Sequence, residues 1–182
     1  PDDPVVSIRH VMPHLVGLIK TGSEVYHKRI TDQFGPVIKK KISSLGSRIL
    51  RQIYVPDDIS MTVSSIEALI GEGAQIILIT GGMSVDPDDL TPNSIRTSGA
   101  EVITYGAPVL PGAMFMLAYL RGMPIVGLPG CVMYHETSIF DLVLPRILAS
   151  ERLTREDIIS FGHGGMCIGS EDCRYPACGF GK

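Results

Sequence analysis

The chain lacks the marks of several large functional classes. Its longest apolar stretches, 11–19 and 113–120, fall well short of the roughly 18 residues a membrane-spanning helix needs, so no membrane partner is expected. It has no basic excess: 16 Lys and Arg stand against 19 Asp and Glu, a net charge of −3, and no nucleic-acid partner is indicated. No Gly-x-Gly-x-x-Gly follows a strand and no Gly-x-x-x-x-Gly-Lys-Ser/Thr occurs, which leaves dinucleotide dehydrogenases and P-loop NTPases unsupported. Neither an initiating Met nor a charged-then-apolar signal stands at the amino end, so the expectation is a cytoplasmic segment of a longer polypeptide. Cysteine is sparse and uneven, with Cys131 alone and Cys167, Cys173 and Cys178 near the end. That is no secreted disulfide framework, and it fits a reducing cytoplasm.

The 182 residues are 45% hydrophobic and 19% charged, enough for one well-filled domain. Mean hydropathy is +0.24, high for a free-standing domain. Apolar surface is therefore expected to meet another subunit, as a homo-oligomer, or another part of a longer polypeptide. Residues 1–14 read as a linker or edge segment, 15–150 as the domain, and 151–182 as a carboxyl-terminal extension with a cysteine-containing tail.

Strand and helix alternate along the domain. Strands are expected over 15–20, 47–55, 74–80, 101–105, 113–120 and 124–128; the run 74–80 is continuously apolar, as in a strand covered on both faces. Helices are expected over 32–45, 60–70, 92–98 and 132–148, the last bent at Pro145. In 60–70 the apolar residues Met61, Val63, Ile66, Leu69 and Ile70 mark the buried face, whereas Lys39, Lys40 and Lys41 read as the wet face of their helix. Such alternation implies an α/β fold in which an open, mostly parallel sheet is sandwiched by helices, with right-handed crossovers. Binding sites in that architecture lie beyond the carboxyl ends of the strands.

The distinctive loops all follow strands: Thr21-Gly22-Ser23-Glu24, Pro56-Asp57-Asp58, Thr80-Gly81-Gly82-Met83-Ser84 and Leu128-Pro129-Gly130. Glycine there lets backbone amides approach an anion, and Thr91-Pro92 opens a helix with a hydroxyl cap and a proline. Asp86, Asp88 and Asp89 sit between, and carboxylates beside an anion need a cation such as magnesium, or proton transfer, to reconcile them. The expected site is thus a pocket for a phosphorylated ligand, with Asp57 and Asp89 holding a metal or steering protons. Cys131, four residues before His135, reads as a small residue beside a glycine turn rather than as a nucleophile.

These loops, with Asp89-Leu90-Thr91-Pro92, resemble in order and spacing the molybdopterin-binding domain shared by bacterial molybdopterin adenylyltransferase, molybdenum insertase and the corresponding parts of gephyrin. The resemblance implies a three-layer αβα domain that binds molybdopterin or the molybdenum cofactor through its phosphate. Members adenylylate the pterin, with ATP and AMP as partners, or exchange the adenylate for molybdate. Thr21, Gly22, Glu24, Thr80, Gly81, Gly82, Ser84, Pro129 and Gly130 would hold the ligand, and Asp57 and Asp89 would bind Mg2+ and carry catalysis. The alternative is a non-catalytic sensor or carrier of the same pterin.

Three positions depart from the family pattern: Ser23 replaces Asn or Asp, while Lys28 and Asp86 replace glycines. Thr91-Pro92 is similar to the adenylyltransferase branch and Ser84-Val85 to the insertase. The tail, from Gly162-His163-Gly164-Gly165-Met166-Cys167 to Lys182, resembles a subgroup with four clustered cysteines, one of which is Ser170 here. Zinc or an iron–sulfur cluster on Cys167, Cys173 and Cys178, with His163 or another residue as fourth ligand, stands against a disordered, metal-free tail.

Overall fold

In a computed structural model, residues 6–27, 29, 32–86, 88–169 and 171–182 are described; Lys28 and Ser170, singled out above, lie outside the described residues. The chain runs β1 (Leu15–Thr21), α1 (Ser23–Tyr26), α2 (Phe34–Ser44), β2 (Arg48–Val55), α3 (Ile59–Gly71), β3 (Ile76–Thr80) and α4 (Thr91–Thr97). It continues through β4 (Glu101–Tyr105), β5 (Met116–Leu120), β6 (Met123–Leu128), α5 (Cys131–Tyr134), α6 (Ile139–Leu148) and α7 (Arg155–Ser160). Among these residues no helix is long and apolar enough to cross a membrane.

Six strands form one sheet in the order β2-β1-β3-β6-β5-β4. The pairs β1–β2, β1–β3 and β3–β6 are parallel, but β5 runs antiparallel to both β6 and β4. The expected fold class holds as a mostly parallel sheet with helices on both faces. The reversal comes from Arg121 and Gly122, whose φ values of 52° and 84° join β5 to β6 as a two-residue hairpin. A hairpin with two positive φ angles can only join antiparallel neighbours.

Strand alternation divides the interior into two cores. Val16, Leu18, Ile76, Leu78, Val126 and Leu128 face Ile38 and Ile42 of α2 and Phe140, Val143 and Leu144 of α6. The opposite positions, Ile19, Ile77, Ile79 and Ile125, face Ile66 and Leu69 of α3 and Ile95 of α4. Gly17 is on that second face because a Cβ there would lie 2.8 Å from Leu69 Cδ1, so α3 packs directly on β1. The edge strand β2 buries fully only Val55.

Local chemistry moves three expected features. The α3 face is rotated: Met61 is 40% exposed, while Thr62 and Ser65 are buried with their hydroxyls bonded to the Asp58 and Met61 carbonyls four residues back. Satisfied in this way, small hydroxyl residues can replace apolar ones in a core. The helix expected over 132–148 is two helices. A capping box restarts the chain at α6, where Asp141 accepts from the Ser138 amide at 2.8 Å, and Pro145 lies inside α6 rather than at the break. Lys41 does not share the wet face of Lys39 and Lys40; it donates to the Glu136 carbonyl at 2.6 Å and pairs with Asp141, tying α2 to α6.

The extension packs on the first core through Leu153, Ile158, Phe161 and Phe180, with Phe180 only 4% exposed. The tail is bonded to the body by Leu110 N–H to the Gly165 carbonyl at 2.6 Å and Cys167 N–H to the Leu110 carbonyl at 2.8 Å. The described tail residues are therefore folded against the domain.

Candidate functional site

Strand register brings the glycine and acidic loops to one edge. Thr21 of β1 pairs with Val55 of β2, Lys20 pairs with Thr80 of β3, and Thr80 pairs with Leu128 of β6. Four parallel strands thus end level, and the loops that follow them start side by side. Side chains then tie the loops together. Asp57 Oδ2 accepts from the Ser23 amide at 2.9 Å and the Ser23 hydroxyl at 3.0 Å, joining the loops after β1 and β2. Asp89 Oδ2 accepts from the Ser84 amide and, at 2.8 Å, from the Ser84 hydroxyl, closing the loop after β3. Each carboxylate therefore spends one oxygen on a serine, Asp57 across to the loop after β1 and Asp89 within the loop after β3.

Thr91 does not cap α4. Its hydroxyl donates to the Gly81 carbonyl at 2.8 Å and lies 3.0 Å from the Thr21 hydroxyl, while no side chain caps the helix at Leu90. The glycines after β3 have a packing cause as well. Gly81 and Gly82 have φ of 91° and 52°, and a Cβ on Gly81 would lie 2.1 Å from the Thr21 carbonyl oxygen. By contrast, nothing lies within 4 Å of a Cβ built on Gly22 or Gly130, so those two border open space. Glu24 is exposed in α1, which replaces the plain loop expected at 21–24, and Pro129 is buried. Asp58 belongs to the scaffold: it accepts from the Met61 amide at 2.7 Å as the cap of α3, a bond that lowers its pKa.

The other side of the same edge carries a group the sequence reading passed over. Lys20 is 4% exposed and pairs with Asp32, its ammonium 5.5 Å from the Phe34 ring centroid. Burial pulls its pKa down to about 8. Next to it in register, the Thr80 hydroxyl is buried without a hydrogen-bond partner among the described residues. The available signal was a lysine ending an otherwise apolar strand, directly before a glycine turn.

Metal chemistry finds only partial support in the donor set. Among the described residues no group of three or more His, Cys, Asp or Glu side chains gathers as a metal site. Magnesium needs fewer, taking one or two carboxylates and completing its shell with substrate phosphate and water; Asp57 and Asp89 are bonded to different serines, Ser23 and Ser84. Soft-metal sites need four converging protein ligands, which the tail does not assemble among the described residues. Instead Cys173 Sγ lies 3.2 Å from the Thr137 hydroxyl, and Cys167 is exposed. A cavity of about 710 Å³, lined by His135, His163, Cys167, Cys173 and Cys178 among others, lies between the tail and the turn after α5, and none of the glycine turns after β1, β3 or β6 reaches it. Burial pushes the Cys131 thiol up, away from the reactive thiolate.

Known proteins agree with this geometry. A molybdenum cofactor biosynthesis bifunctional protein of Synechococcus elongatus is 30% identical over 83 residues, 46% of this chain and 26% of that protein. A molybdopterin molybdenumtransferase of Staphylococcus aureus is 27% identical over 122 residues, 63% of this chain and 29% of that protein. The chain thus matches only about a quarter of such relatives' length. Among solved structures, the tungsten cofactor synthesizing protein MoaB of Pyrococcus furiosus superposes with a TM-score of 0.59 at 18% identity, covering 78% of this chain and 98% of that one. The CinA protein of Thermoplasma acidophilum, of unknown function, reaches 0.62 at 13% identity, covering 75% and 98%. At such identities the structures attest the fold alone. Residues 17–149 match the family described as "Probable molybdopterin binding domain", and the chain belongs to that family.

Proposed function

We propose that this domain binds molybdopterin through its phosphate at the carboxyl edge of the sheet and serves in molybdenum cofactor biosynthesis, by adenylyl transfer or molybdate insertion. The observation that carries this reading is the register that ends β1, β2, β3 and β6 level and starts their four loops together. Amides of the turns at Gly22, Gly81, Gly82 and Gly130 meet the phosphate, with Thr21, Ser84 and Pro129 shaping the loops around it and Glu24 at the rim. The family match supports the ligand class.

Asp57 and Asp89 would hold magnesium through the carboxylate oxygen that each has left after binding its own serine. A magnesium ion there would neutralise charge on the phosphoryl oxygens during transfer. The residues themselves do the rest: Ser84 and Asp89 fix the loop after β3, and Ser23 with Asp57 fixes the loop after β1 relative to β2. A homo-oligomer and ATP as the adenylyl donor belong to this reading. The second reading, a carrier that binds the pterin without turning it over, draws on Asp86, exposed and acidic beside the loop where the insertase branch has glycine.

Anaerobic calorimetric titration with molybdopterin, with and without magnesium, tests the proposal. Saturable binding supports it and no binding overturns it. Formation of adenylylated pterin from ATP then favours the enzyme, and tight binding without turnover favours the carrier.

A further inference from the structure

Lys20 is a costly residue in its position. A lysine at the end of a central strand, 4% exposed, has lost most of its hydration, and a buried ion pair rarely returns that loss. Its partner has neutral donors besides it. Asp32 Oδ1 accepts from the Gly35 amide at 2.9 Å, and Oδ2 accepts from Gln52 Nε2 at 2.7 Å and the Tyr54 hydroxyl at 3.0 Å. The carboxylate keeps three hydrogen bonds if the ammonium turns away. An ammonium carries three donors, and Asp32 is its ion partner among the described residues.

Beside Lys20 in register stands Thr80, whose hydroxyl is the buried side-chain polar atom that lacks a partner among the described residues. Native interiors leave few such groups, and an unpaired one calls for an explanation, of which a bound ligand or water is one. Both side chains project to the α2 side of the sheet, since Val16 and Leu18 on β1 and Ile76 and Leu78 on β3 share that alternation. Charge points the same way. Over 20–24, 54–58, 79–91 and 127–131, Lys20 is the cationic side chain among Glu24, Asp57, Asp58, Asp86, Asp88 and Asp89, with Lys28 and Arg29 following later in the connection after β1. An anion arriving at this edge needs a counter-charge, and one is already built into it.

We propose that Lys20 and Thr80 form the oxyanion subsite of this edge, seating a phosphate monoester on the α2 side with the ammonium as counter-charge and the hydroxyl as donor. The inference rests on the phosphate-binding reading above and adds where the phosphate sits and what neutralises it. On ligand entry the ammonium turns from Asp32 to the phosphate, and Asp32 keeps Gly35, Gln52 and Tyr54.

The test is calorimetric titration of the chain, Lys20→Met and Thr80→Val with molybdopterin and, separately, with inorganic phosphate, alongside thermal unfolding of each. Each variant is expected to weaken both ligands at least tenfold, the scale of a charge-assisted or buried hydrogen bond to phosphate. Thr80→Val breaks no side-chain hydrogen bond among the described residues, so it is expected to melt no lower than the parent and to carry the test even if Lys20→Met folds poorly. Equal molybdopterin affinity in the parent and a folded Thr80→Val overturns the subsite and leaves the pterin reading standing. Lys20-dependent phosphate binding without molybdopterin binding keeps the subsite and overturns the pterin reading. A parent chain that binds neither ligand overturns both.

Discussion

The two sides of one sheet edge are built on opposite terms. Toward α3 and α4, the Thr21 and Thr91 hydroxyls and the Gly81 carbonyl satisfy one another, and the buried Met83 packs in the core beneath the loop that follows β3. Toward α2, the same strand ends carry a buried ammonium and a buried hydroxyl without a partner among the described residues. The residues differ by one position: Lys20 and Thr80 face one way, Thr21 the other. The closed side ties the loops together, and the other side is where the proposed phosphate subsite falls.

The contrast breaks hardest at Gly81. Gly81→Ala puts a Cβ 2.1 Å from the Thr21 carbonyl oxygen at a φ of 91°, so the closed side must come apart. The expected loss is about 3 kcal/mol of stability, read by urea denaturation. Gly82→Asp meets a milder form of the same obstacle, since its Cβ would lie 2.9 Å from the Thr91 hydroxyl. Its effect on binding is thus read only beside an unfolding curve.

Asp89→Asn sharpens the contrast by leaving the Ser84 loop an acceptor while removing charge. Magnesium-dependent turnover is expected to fall about a hundredfold, the usual scale for a lost electrostatic group, with pterin affinity within a few-fold. Unchanged turnover in steady-state assays would take Asp89 out of catalysis.

The open side answers to pH. Lys20 has its pKa drawn down to about 8 by burial, so its charge fades as pH rises through that value, with Asp32 beside it and Tyr54 bonded to Asp32. Phosphate affinity is then expected to be about tenfold weaker at pH 9 than at pH 7 in the parent and nearly flat in Lys20→Met. The smallest effect compares one substitution on both sides. Thr21→Val should cost about 1 kcal/mol by breaking the Thr91 contact, whereas Thr80→Val should cost nothing measurable in thermal unfolding.

Much of this was legible from the chain. Continuous apolar runs marked β3 and β6, glycine turns marked the strand ends, and the parallel rule placed those turns on one edge. The antiparallel pair β5–β6 departs from the parallel rule because Arg121-Gly122 is a two-residue link, which leaves no room for a crossover. The break before α6 was also written in the sequence, as Ser138 followed three residues later by Asp141. Lys20 carried only a faint signal, a lysine at the end of an apolar strand. Composition treats a lysine as surface, and the three-dimensional packing of Asp32, Phe34 and Thr80 around the end of β1 turns that signal into an enclosed ammonium. The acidic side chains were found but their first task was not: Asp57 and Asp89 are loop ties whatever else they do.

The most direct test of the central claim is anaerobic calorimetry of the chain and of Thr80→Val with molybdopterin at pH 7. The account predicts saturable binding to the parent and at least tenfold weaker binding to an equally stable Thr80→Val. A parent chain that shows no heat of binding at any pterin concentration would contradict the claim that this edge receives the cofactor.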